Sequence, residues 1–226
     1  QFGYGFGFAL GQFLIGGGII PNEIFNANGI TLNQSTQYLQ APDATKGNIG
    51  STKFSMTALI KNDGQTLIYG KGSGGLNDWV GWDNNLASEM VLRLSSPSGQ
   101  VFFKRPNTFI PNDGEFHRVT IFYSRINDST LPTIYMDDQA SETMNSSASG
   151  SGWASHDFTS TNSMTIGALF NDGTSYKLAP PSFGLCVDTE LTEADHLNLW
   201  NADQAQCFYL IPSETRDKFT THFDLA

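Results

Sequence analysis

Short runs in which apolar and polar residues alternate recur along this chain, at intervals of roughly 10–15 residues, with turn-forming residues between them. This period-two pattern sends successive side chains to opposite faces, so each run is a half-buried strand and not a helical turn. Phe54, Met56, Ala58 and Ile60 alternate with Ser55 and Thr57, and Thr66–Tyr69 runs into Gly70-Lys71-Gly72. Met90–Leu94 is followed by Ser-Ser-Pro-Ser-Gly and then Val101–Phe103. Phe116–Tyr123 is the strongest strand, Thr133–Met136 stops at the turn pair Asp137-Asp138, and Ser163–Gly167 is a further short strand. Repeated strands joined by turns predict an all-β antiparallel sandwich.

Composition agrees. Charged residues make up 15% of the 226, against roughly 25% in an average domain, and the chain has 23 Gly. One helix is expected, with Thr192 as its N-cap, acidic residues in its first turn, and Ala194, Leu197 and Trp200 sharing one face against the sandwich edge. Net charge is −10, which leaves no basic surface to displace counterions from nucleic acid and disfavours anionic lipid. No uninterrupted apolar span reaches the roughly 18 residues of a membrane helix. Cys186 and Cys207 are equally consistent with one disulfide or two thiols.

Residues 1–20 contain no charge. Phe2, Tyr4, Phe6 and Phe8 alternate with Gly3, Gly5 and Gly7, and Phe13 follows. In extended form the rings share one face, and such a segment must be covered in water. It is either the first strand of its own core or an arm anchoring the domain to other subunits. The Gly-Gly-Gly run at 16–18 reads as a hinge and favours the arm. The expected division is an arm at 1–22, a β domain at 23–203 and a peripheral tail at 204–226.

Catalytic signatures are missing. Glu23, Glu89, Glu115 and Glu142 stand apart in sequence, adjacent Asp137 and Asp138 would face opposite sides of a strand, and no Gly-x-Ser-x-Gly or His-Glu-x-x-His occurs. The expectation is a protein that is not an enzyme. Residues 75–85 carry the richest binding chemistry: Trp79 and Trp82 beside Asp78, Asp83, Asn84 and Asn85. Flat rings and side-chain oxygens suit a sugar, with Trp79, Trp82, Asp83, Asn84 and the cation Arg93 as candidate ligand-binding residues. Asp78 and Asp83 are the candidate calcium ligands. The plainer reading of the two Trp is core. His117 and Arg118, beside Phe116, could line a ligand groove or be hydrogen-bonded structural residues.

The order of segments resembles the laminin-G-like jelly rolls of the concanavalin A-like lectin/glucanase superfamily. The stretches at 29–42, 53–63 and 66–74 are similar to the family's early strands, with Leu32-Asn33-Gln34 where Phe-Asp-Gly is usual. "NDGEFHRVTIFYS" at 112–124 resembles "dGkWHHvavty", with Phe116 in place of Trp, and "PTIYMDDQ" at 132–139 resembles "iYvDG", with Asp138 in place of Gly. The stretches at 162–169 and 183–200 are similar to the closing strands and helix. The resemblance implies a two-sheet antiparallel jelly roll with one short C-terminal helix and an extended N-terminal arm. It does not settle function, because the fold hosts lectins, adhesion modules, glycosidases and virion components. A Gly/Phe leader before such a domain resembles exterior proteins of tailed-phage particles. That implies a non-catalytic module on a virion surface or outside the cell, with other subunits, and a glycan, as partners. A carbohydrate-binding module, calcium-dependent or not, is the alternative, and a glycosidase is the remote one.

Overall fold

The computed structural model describes residues 14–15, 18–19, 39–40, 47–62, 66–72, 79–85, 89–106, 109–167, 182–204 and 211–224. They form two antiparallel sheets packed face to face, as the alternating runs require. The first sheet has nine strands: β1 (Leu14–Ile15), β2 (Gly18–Ile19), β3 (Leu39–Gln40), β5 (Thr66–Gly72), β6 (Trp79–Asn85), β7 (Glu89–Ser96), β8 (Gly99–Pro106), β12 (Asn145–Gly150) and β13 (Thr165–Ile166). Their order is β12-β8-β7-β6-β5-β13-β3-β1-β2. The second sheet has six: β4 (Phe54–Lys61), β9 (Phe116–Tyr123), β10 (Thr133–Met136), β11 (Glu142–Thr143), β14 (Ser182–Val187) and β15 (Thr221–Asp224), in the order β11-β10-β9-β4-β14-β15.

The inward-facing residues of both sheets meet in one core. Phe54, Met56, Ala58 and Ile60 of β4 lie beside Val119, Ile121 and Tyr123 of β9. From the other sheet come Tyr69, Val80, Trp82, Leu92, Leu94, Val101 and Phe103. Tyr69 stacks on Phe183 at 5.7 Å and Phe103 leans on Tyr123 at 4.9 Å, tying the layers together. Burying one such aromatic side chain is worth about 2–3 kcal/mol.

The loop beyond this core is organised by a cation. Arg125, with a φ of 56°, is 6% exposed and donates to the backbone carbonyls of Gly50, Thr52, Trp153, Ala154 and His156. Its guanidinium also lies 5.0 Å from the Phe158 ring centre. Asp128 complements it by accepting from the N–H groups of Gly152 and Ala154.

Helix α1 (Glu193–Gln204) begins as the sequence predicts: the Thr192 hydroxyl accepts from the Asp195 N–H, and Asp195 accepts from Thr192 N–H in return. Its buried face differs. Asp195, His196, Leu199 and Ala202 point inward, while Ala194 is exposed and Leu197 and Trp200 are half-buried. The reason is polar docking. The helix lies on the outer face of the six-stranded sheet, where His196 meets Thr120, Arg118 grips Asp203, and Ser55 accepts from Leu191 N–H.

The tail is not peripheral. α2 (Ser213–Arg216) leads into β15, which pairs with β14, and Phe219 packs with Leu199, Ala202 and Ile211. Phe219 comes so close to β14 that a Cβ on Gly184 would stand 2.3 Å from its ring. The Gly16–Gly18 hinge reading also changes: Leu14 and Ile15 pair with Ile19 and Gly18 as a hairpin, and β1 pairs with β3. Phe2, Tyr4, Phe6, Phe8 and Phe13 lie outside the described residues, as does Cys207. Cys186 is a free, buried thiol, and burial pushes its pKa up to about 12.

Candidate functional site

Strand β6, which holds the described part of the 75–85 stretch, splits its residues between two faces. Val80 and Trp82 turn into the core and Trp82 is fully buried. Asn84 shares their side and is 1% exposed. Trp82 and Asn84 are therefore removed from any surface a ligand could meet, because period-two alternation gives them the inward positions. Trp79, Gly81 and Asp83 take the outward positions. Trp79 lays its indole along the strand over Gly81, where a Cβ would stand 2.3 Å from the ring, and only 3% of it is exposed. It is a floor and not a platform.

Asp83 and Arg93 come together on this outer face. Gly81 pairs with Arg93 and Asp83 with Val91, so the two side chains are diagonal neighbours across β6 and β7. Arg93 Nη2 stands 2.8 Å from Asp83 Oδ2, with the side chains 23% and 13% exposed. Phe102 of β8 is directly opposite Arg93, and the guanidinium lies 5.6 Å from its ring centre. One register step further, Val91 pairs with Lys104, and Lys104 bonds Glu89 at 3.0 Å. The outer face of β6, β7 and β8 thus carries two cation–carboxylate pairs flanking a half-buried phenyl ring. Sequence reasoning noted Lys104 only as one of the central cations, and missed Phe102 and Glu89 as parts of this face. The alternation Gln100, Phe102, Lys104 was the available signal, but its facing direction needs the β7 register.

The calcium expectation gains no support from this geometry. Asp83 is engaged with Arg93, Asp78 lies outside the described residues, and no group of three His, Cys, Asp or Glu among the described residues is placed to hold a metal. Of the other cations, Lys71 turns inward to donate to the Asn162 carbonyl, and Arg105 reaches across to Glu142 of the other sheet.

A second polar cluster sits between β9, the β10 turn and α1. His117 Nδ1 lies 2.7 Å from Asp137 Oδ2, and its Nε2 is 3.2 Å from Asp113. The other Asp137 oxygen accepts from Arg118 N–H, so this carboxylate is fully engaged and held at a φ of 51°. Burial alone would lower the His117 pKa, but the two carboxylates outweigh it and raise the value above the usual imidazole range. His196 Nε2 is 2.7 Å from the Asp137 carbonyl, which only accepts, so that nitrogen carries the proton. Its Nδ1 meets Thr120, and Thr120 meets Thr57. Burial lowers the His196 pKa to about 4, with Arg118 nearby acting in the same sense. This closed network fastens the helix and the turn to the sheet.

No protein-family model matches the chain, and no curated protein matches it in sequence. Solved structures match in fold. A carbohydrate-binding module (CBM40) of the Ruminococcus gnavus IT-sialidase, solved bound to alpha2,3 sialyllactose, is similar at 10% identity with a TM-score of 0.50, over 76% of this chain and 95% of that one. Domains LG4-5 of the mouse laminin alpha1 chain match at 11% identity and 0.46, over 66% of this chain and 38% of that one. A heptameric SAP-like pentraxin from Limulus polyphemus matches at 11% identity and 0.44, over 76% and 79%. The chain therefore spans well under half of the laminin structure. The fold is a two-sheet antiparallel jelly roll.

Proposed function

We propose that this chain is a non-catalytic carbohydrate-binding or adhesive module, and that its saccharide rests on the outer face of β6, β7 and β8. The carrying observation is the Asp83–Arg93 pair set against Phe102. A sugar ring offers an apolar C–H face and a rim of hydroxyls, and a phenyl ring flanked by donors and acceptors answers both. The pairs Asp83–Arg93 and Glu89–Lys104 each sum to zero charge, and the whole chain is at −10. That balance suits a neutral saccharide better than a carboxylate-bearing one, which would have to displace Asp83 from Arg93. The similarity to the sialidase module supports the fold of this reading and does not transfer its ligand.

The test is a saccharide-array screen of the purified chain, neutral and sialylated glycans side by side, with and without calcium. Binding of a neutral glycan is expected, weakened at least tenfold (about 1.4 kcal/mol) in Arg93→Ala and in Phe102→Ala. Binding unchanged in both variants, or confined to sialylated glycans, contradicts the reading.

The finer reading places the module on a virion exterior, joined to other subunits through the part of residues 1–20 that precedes β1. The uncharged ring-and-glycine composition of that segment supports it, since several buried Phe rings at ~25 cal/mol per Å² can hold a small domain on a scaffold. Sedimentation of native material checks it: the chain should travel with a large particle and leave only on denaturation.

A further inference from the structure

Two opposite edges of the nine-stranded sheet are built differently. At one end β12 pairs with β8 along its whole length, Asn145 with Lys104 through to Gly150 with Gly99, without a slip. No described strand pairs with its other side. All six of its residues, Asn-Ser-Ser-Ala-Ser-Gly, are exposed. Natural edges are usually closed by charge, proline, a bulge or a covering element. This one has none of the first three. On its core-facing side, Ser146 and Ala148 stand beside Phe103 and Val101, both fully buried, so the rim of the core ends in a ledge of small side chains.

The opposite end of the sheet is where residues 1–13 depart. Leu14 and Ile15 form β1, second from that edge. The departing segment carries Phe2, Tyr4, Phe6 and Phe8 with glycine between them, and no charge. As a strand it is seven residues of rings on one face and bare backbone on the other, against six residues in β12. Rings on the core-facing side would lean over Ser146, Ala148 and Gly150, which are small and exposed.

We infer that residues Phe2–Phe8 of one copy add as a further strand beside β12 of a second copy. The same copy cannot serve itself. Eight strand spacings at about 4.8 Å separate the two edges by roughly 38 Å along the sheet. Residues 9–13 span at most about 18 Å when fully extended. Charge agrees: copies at −10 repel, and this contact is made by two segments with no charged residue. Donor and acceptor lie on opposite edges, so the contact is head-to-tail and yields a ring or an open chain of subunits. This deepens the reading of residues 1–20 as an anchor by naming the partner, and it does not depend on the glycan.

The test uses the full chain, a variant with the arm disabled (Tyr4→Asp with Phe6→Asp, and in parallel deletion of 1–10), and a variant with the edge blocked (Ser146→Lys with Ala148→Lys). All substituted acceptor positions are exposed, and circular dichroism verifies each fold. Sedimentation velocity at tens of micromolar should show multimers for the full chain and monomers for either variant. Mixing the two variants should restore association but stop at a one-to-one pair, since only one arm and one edge remain intact. A monomeric full chain, a blocked-edge variant that still multimerises, or a mixture that stays monomeric overturns the inference. If the chain is monomeric yet co-sediments with a particle, anchoring stands and self-association through β12 fails.

Discussion

At the residue scale, two histidines set opposite pH responses. His196 is held neutral in the folded chain with a pKa of about 4, below the 6.5 of an unfolded imidazole. Between those values the unfolded state binds more protons, so its contribution is complete above pH 6.5 and is lost as pH falls toward 4. The loss is on the order of 3 kcal/mol. His117 has a raised value, so its stabilisation by Asp137 and Asp113 is complete below pH 6.5 and is lost as pH rises through the folded value. Chemical denaturation from pH 8 to pH 4 should show a falling acid limb that flattens in His196→Gln. An acid limb as steep in the variant as in the parent would remove His196 from the account. Arg125 gives a second test. Replacing it with Met takes the Arg125 donor from the buried carbonyls of Trp153 and Ala154, costing about 3 kcal/mol or more. Lys in its place should recover little, because it lacks the planar five-donor fork. Midpoints in urea for the three proteins decide this; equal midpoints for Lys and Arg would contradict it.

At the element scale, the tail is part of the sandwich. Gly184→Ala should push Phe219 off β14 and loosen β15, at a cost of about 1–3 kcal/mol. Limited proteolysis should then cut between 205 and 224 faster than in the parent, and an unchanged rate would argue against that packing. The strands that place their apolar residues on one face were legible in the sequence, because Phe54–Ile60 or Phe116–Tyr123 shows its alternation directly. Others were not. β12 contains no apolar alternation at all and is a strand only because β8 lies beside it. β6 carries Asp and Asn at positions that look like turn residues, yet Val80 and Trp82 commit it to the core. The helix start was readable from Thr192 and Asp195, but its buried face was not, because hydrogen bonds to Thr120 and Asp137 override the apolar spacing of Ala194, Leu197 and Trp200.

At the scale of the whole molecule, the jelly roll divides its surfaces. The six-stranded sheet is covered by α1 and its buried polar network, while the nine-stranded sheet presents β6, β7 and β8 outward and ends in an open strand. Half of the candidate site was visible in the sequence. Asp83 and Arg93 were singled out on chemistry, whereas Phe102 joins them only through the β7–β8 register. The most direct test of the binding face is a two-dimensional amide NMR titration of the isotopically labelled chain with the best neutral glycan from the array. The account predicts shifts concentrated at Asp83, Arg93, Phe102 and Lys104, with the Arg118, His196 and Asp137 network unmoved. Shifts centred on that network, or on the β15 side of the molecule with β6–β8 silent, would contradict it.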